Sequence, residues 1–205
     1  MASESERHRA ATRLTDPKAL RALAHPVRLA LMGLLRTEGP LTATRAAELT
    51  GESSGSTSFH LRQLAKYGLV EEAAGGQGRE RPWRSVEMFT DLPKVARDPK
   101  VAAASGLLSS VLADYYFEDL SRWLAVRDDE PEDWQRAAHF GDSLVYLTAG
   151  ELDGLRGRIH ELVDAYLDRT ADPELRPPGA RLVSFLHIAH PRIGAGPGTS
   201  GGDRE

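Results

Sequence analysis

The sequence has no cysteine, which excludes disulfides, zinc–thiolate sites and thiol catalysis together. It has no apolar run approaching the roughly 20 residues that span a bilayer. Its first residues, MASESERHRAATR, are charged where a secretory signal needs an apolar core. These absences predict a soluble, cytoplasmic protein. Catalytic signatures are missing too: there is no nucleophile elbow, phosphate-binding glycine loop or His-Glu-x-x-His pattern. The acidic cluster Asp128, Asp129, Glu130, Glu132 and Asp133 lacks the spaced glycine and terminal glutamate of a calcium loop. Beside Pro131 it reads as a solvated turn. The expectation is a protein that is not an enzyme and carries no cofactor.

Seven histidines are present: His8, His25, His60, His139, His160, His187 and His190. Only His187 and His190 are close in sequence. On a strand their spacing of three places them on opposite faces, so no metal site is expected. His25, just before Pro26, reads as a structural cap rather than a ligand.

A chain of 205 residues suffices for one large domain or two small ones. No repeat of solenoid length is visible. Its net charge of −4 conceals an asymmetry. Residues 14–86 hold ten Lys/Arg against seven Asp/Glu, whereas residues 87–205 hold thirteen against twenty-one. A polyanion would meet the first part, not the second.

Local patterns divide the first part into three short helices, a fourth helix and a hairpin. Asp16-Pro17 supplies a cap and first-turn proline for a helix carrying Leu20 and Leu23. Pro26 opens a second helix, with Val27, Ala30, Leu31, Leu34 and Leu35 at helical spacing, which Gly39-Pro40 ends. Thr42 caps a third that Gly51 stops. In SSGSTSFHLRQLAKYGLV, residues 53–70, the spacing of Thr57, Leu61 and Leu64 turns one stripe toward a core, and Gly68 is placed as a C-terminal cap. Two helices joined by a tight Gly-containing turn make a helix-turn-helix. Beyond Gly68 the run LVEEAAGGQGRERPWRSV reads as a hairpin, or wing, with Arg79 and Arg81 at its tip and Trp83 and Val86 on its second strand.

The proline-punctuated TDLPKVARDPK, residues 90–100, reads as a linker. A long helix follows, GLLSSVLADYYFEDLSRWLAVRD. Its Leu108, Val111, Leu112, Tyr115, Leu120, Trp123 and Leu124 form a face broad enough to pack on its own protomer and across a dimer. SLVYLT reads as a strand, Thr148 with Glu151 as a capping box, and ARLVSFLHIAHP as a second strand-like run. The predicted fold is mainly α with small β: an N-terminal winged helix-turn-helix over 14–90, then a C-terminal α+β dimerisation and effector domain over 91–193. Residues 1–13 and the Gly/Pro/Ser-rich 194–205 are expected to be disordered. The aromatic residues of the C-terminal part either line a pocket for a small-molecule effector or form its core.

Once Thr57, Leu61 and Leu64 face inward, Gly55, Ser58, Phe59, Arg62 and Lys66 face outward, with Ser54, Ser56, His60 and Gln63 at the margins. That surface is slim at its leading end and basic toward its trailing end. Short side chains let backbone approach a major groove, hydroxyls bond bases or phosphates, and Arg or Gln can read base edges bidentately. Phe59 suits thymine methyls. Arg79 and Arg81 can reach a flanking phosphate or the minor groove.

Three segments in order, LRALAHPVRLALMGLL, TATRAAELTGESSGSTSFHLRQLAKYGLVEE and GGQGRERPWRSV, carry a family resemblance. The Ala-His-Pro-x-Arg of Ala24–Arg28, the Ser/His/Leu pattern of Ser53, Ser56, Ser58, His60 and Leu61, and Gly68-Leu69-Val70 mark it. Residues 14–88 resemble the winged helix-turn-helix domain of ArsR-like bacterial transcriptional regulators. The resemblance implies a homodimer that reads an inverted repeat in double-stranded DNA. Its contacts would be Ser54, Ser56, Ser58, Phe59, His60, Arg62 and Gln63, plus Arg79 and Arg81 on the wing. Many members sense metals through cysteines, and this chain has none. The rival expectation is a winged-helix protein-interaction module without specific DNA binding.

Overall fold

The computed structural model describes residues 14–75, 81–86 and 95–192. Four helices come first: α1 (Pro17–Leu23), α2 (Pro26–Thr37), α3 (Ala43–Thr50) and α4 (Ser54–Lys66). Each start has a local cause. The Asp16 side chain accepts from the Lys18 N–H, His25 from Val27, Thr42 from Arg45 and Ser53 from Ser56, so each satisfies an otherwise orphaned amide of a first turn. Gly51 ends α3 at φ 73°, a left-handed conformation that favours glycine.

Strands β1 (Val70–Glu72) and β2 (Trp83–Ser85) pair antiparallel, with Val70 opposite Ser85 and Glu72 opposite Trp83. Leu41 adds an antiparallel bridge to Trp83, exchanging backbone bonds of 3.0 and 2.8 Å. The hairpin is thereby tied to the stretch between α2 and α3. Its tip, including Arg79, lies outside the described residues, as does the expected boundary at residue 90.

Helix α2 is central: α3, α4, β2 and the long helix α5 (Pro99–Val126) all pack on it. Its buried residues are Leu29, Leu31, Met32 and Leu35, a wider set than one amphipathic stripe supplies. They join Leu20, Leu23, Ala46, Leu61, Leu64 and Val70 in one core that also takes in Ala104 and Leu108 of α5.

Two expectations need correction here. Helix α5 starts at Pro99 rather than near residue 106, because Asp98-Pro99 is itself a helix start: the Asp98 carboxylate accepts from the Lys100 N–H at 2.8 Å. The end of the expected linker is therefore helix. Leu108 lies fully buried in its own protomer's core, and Val111, Leu112 and Tyr115 pack against that core. Burial takes Leu108 out of the candidate interface. Of the remaining candidates Leu120 and Trp123 are half-buried and Leu124 is exposed.

After α5 come a 3-10 turn (Arg127–Asp129), α6 (Glu132–Ala137), α7 (Ala149–Asp164), the short α8 (Asp168–Ala171) and a second 3-10 turn (Pro173–Leu175). Thr148 and Glu151 form the expected capping box of α7. The C-terminal part is helical, not α+β. Residues 143–148 and 181–190 have no strand partner among the described residues. Both are short apolar runs rich in strand-forming residues, but a strand also needs a neighbour's N–H and C=O groups. Arg181 anchors the second segment, forming a bidentate pair with Glu130 at 2.7 and 2.9 Å and stacking over Trp134 at 4.9 Å. Glu130 thus has a specific partner, and that bond holds its carboxyl below the ordinary range.

Candidate nucleic-acid interface

Helices α3 and α4 pack on each other around the turn Gly51-Glu52-Ser53. Thr57, Leu61 and Leu64 are fully buried and fix the roll of α4. Ser54, Gly55, Phe59, Arg62 and Lys66 are exposed, while Ser56, Ser58 and Gln63 are half-buried at the edges. The Ser53 hydroxyl caps α4, accepting from Ser56 N–H at 3.1 Å, so the serine-rich start is partly architecture. Phe59 keeps 51% of its surface exposed, an unusual position for a phenylalanine with no partner to cover it. Arg62 forms no ion pair with another described residue, so its guanidinium is available.

On the wing, Arg81 Nε lies 3.8 Å from a Glu72 carboxylate oxygen, and Arg84 pairs with Glu71. Both arginines are largely exposed, and such pairs are weak enough to exchange for phosphate. Arg84 carries no signal in the sequence beyond its charge; only the register opposite Glu71 places it on the hairpin's outer face.

His60 is the site residue that the structure places differently. It is buried, with its ring 4.6 Å from that of His25 and edge-on to Phe59 at 5.3 Å. His25 caps α2 as expected, with Nδ1 accepting from Val27 N–H at 3.2 Å. Burial, then the Arg28 charge, lowers the His25 pKa from 6.5, with Glu52 opposing. The His60 pKa is lowered from 6.5 by burial, then by His25 and Arg28, again against Glu52. A contact between residues 35 positions apart leaves no trace in periodicity, which is why the sequence puts His60 at an exposed margin.

Elsewhere, His160 and His187 bring their Nε2 atoms within 3.2 Å, a pairing their separation in sequence conceals. No group of three His, Asp or Glu side chains able to hold a metal occurs among the described residues. A depression of about 390 Å³ opens beside the end of α5, lined by Trp123, Arg127, Gln135, His139 and Phe140 among others. No described helix is long and apolar enough to cross a membrane.

A helix pair joined by a left-handed glycine, a slim basic outward helix and a hairpin behind it define a winged helix-turn-helix, a class of DNA-binding module. Residues 23–73 match the model of a helix-turn-helix domain family. The match runs from the end of α1 through β1 and covers roughly a quarter of the chain. Residues 23–73 therefore carry a helix-turn-helix domain, similar to that of ArsR-like proteins, and such a domain suggests DNA-binding transcriptional regulation. No curated protein matches the chain.

Proposed function

We propose that the protein is a homodimeric, sequence-specific transcriptional regulator that inserts α4 into the major groove of an inverted repeat, one helix per protomer. The observation that carries this reading is the outward face of α4. Small residues lead, an exposed phenylalanine and an unengaged arginine follow, and Lys66 closes the helix. In this arrangement Arg62 and Gln63 read base edges, Phe59 meets thymine methyls, Ser54, Ser56 and Ser58 contact bases or phosphates, and Arg79 and Arg81 hold the flanking backbone. His60 acts from behind the face and not on it.

The outer side of α5 supports the dimer. Phe117 and Leu124 lie exposed on the side opposite the buried Leu108, and Leu107 and Tyr116 are exposed on the two flanks between. A second copy packed along this side would present two copies of α4 to the two half-sites of an inverted repeat. The depression beside Trp123 and Phe140 is where a small-molecule effector would bind.

Fluorescence anisotropy on duplexes tiling the promoter beside its own gene, with scrambled duplexes at equal salt, tests the reading. One tile should bind at least about a thousandfold more tightly than its scrambled form. Equal affinity for all duplexes would overturn sequence-specific regulation and favour a protein-interaction module.

A further inference from the structure

The seam between α2 and α4 is apolar along most of its length, where Leu31 and Leu35 share a core with Leu61 and Leu64. Its leading end is different. There His25 and His60 bring their rings to 4.6 Å, tilted by 39°. Beside them Thr57 Oγ1, His60 Nδ1 and Arg28 Nε are buried with no hydrogen-bond partner among the described residues. The first half of the recognition helix is thus held by groups whose hydrogen bonding is incomplete, a costly way to fill a seam that leucine or alanine could fill.

We propose that His25 and His60 are positioning residues that form an acid-sensitive latch: as neutral imidazoles they hold α4 on α2, and protonation of the pair releases the DNA-reading helix. The inference rests on the reading of α4 as the DNA-contacting helix. Three features of the cluster give it that behaviour. His25 Nδ1 must keep its lone pair to accept from Val27 N–H, and an imidazolium has only donors, so a proton there removes the cap of α2. A proton on His60 Nδ1 would sit in a buried place with no acceptor among the described residues. Two cationic rings at this separation would also repel each other and the Arg28 guanidinium.

The charged groups acting on the pair are Arg28 of α2 and Glu52 of the turn before α4. Arg28 opposes protonation and Glu52 favours it, and burial adds to the opposition for both rings. The native state thus takes up these protons later than the unfolded or undocked chain, whose histidines titrate near 6.5. Docking is at full strength above that pH and weakens as pH falls below it toward the lower native values. Phe59, edge-on to the His60 ring, and Arg62, three residues further along, lose their placement with the helix. Affinity for a DNA site should therefore fall with acid. Simple charge gain by exposed histidines would raise it.

The test uses the full chain. Histidine Cε1–H resonances are titrated by NMR, and amide exchange in residues 54–66 is followed at pH 7.5 and 5.5 after correction for intrinsic rates. In the parent both rings should titrate below 6.5, and α4 protection should drop at least about threefold more than that of α5. His25→Asn, which can still cap, combined with His60→Gln should make α4 protection independent of pH. Ordinary titration of both rings, or α4 protection unchanged by acid in the parent, would overturn the latch. The parent measurements decide even where the double variant does not fold. Anisotropy on the tightest promoter duplex adds the functional arm: affinity falls with acid in the parent and not in the variant. Loss of protection with no DNA binding at any pH supports the latch and sinks the DNA-reading role alone.

Discussion

Single residues in α4 divide between those that face the core and those that face outward. Leu61 is fully buried in the core that joins α2 and α4, and Leu61→Ala should cost about 2–5 kcal/mol of folding stability, measured by urea unfolding. Arg62, nearly one turn from Phe59 and in no ion pair with another described residue, has no comparable structural duty. Arg62→Ala should leave the urea midpoint unchanged and weaken specific DNA binding by about 1–3 kcal/mol while relaxing base preference. Binding equal to the parent's would show that the outward face is misassigned. Ser53 sits between the two roles. Because its hydroxyl caps α4, Ser53→Ala should destabilise by about 1 kcal/mol, a loss that Ser53→Asp would largely restore. His60 shows the limit of arguing residue by residue from spacing: a helical wheel places it at a margin, but the angle at which α2 crosses α4 buries it against His25.

Among elements, the helix starts and stops follow from local chemistry. Asp16-Pro17, His25-Pro26, Thr42 and Ser53 each cap the helix they precede. The same Asp-Pro signal at Asp98-Pro99 opens α5, and its position inside a proline-rich stretch disguises it as linker. The wing is an element whose function rests on weak pairs. Arg81 lies near Glu72 without a short contact, so Arg81→Ala should lower DNA affinity evenly across sequences. The slope of log K against log salt should fall by about one. An altered base preference with an unchanged slope would place Arg81 at a base instead of a phosphate. The extended runs 143–148 and 181–190 mark the opposite outcome. Their composition is strand-like, but pairing is a property of two segments, and neither run has a partner among the described residues.

At the scale of the whole molecule, apolar surface is unevenly spent. The N-terminal helices and the first turns of α5 bury one shared core, whereas Leu144, Val145, Tyr146, Leu182, Val183 and Phe185 stay exposed. So much uncovered apolar area is unusual for a protein that acts alone. Sedimentation at micromolar concentration should find a dimer, and Phe117→Asp with Leu124→Asp should shift it to monomer and weaken operator binding. A monomeric parent would end the dimer proposal. Stability should also carry an acid limb. The histidine pair has its pKa values lowered by folding, so the melting temperature should fall as pH drops below 6.5, and the His25→Asn, His60→Gln form should lose that part of the slope.

The sequence by itself determined the helices of the DNA-binding half, the roll of α4 and the lack of thiol chemistry, because capping, periodicity and composition act over a few residues. Only the tertiary structure decided that α2 is enclosed on several sides, that Leu108 belongs to the protomer's own core, and that His60 faces His25 and not solvent. Those outcomes depend on crossing angles and on which distant segments meet, and neither is written in any window of a dozen residues.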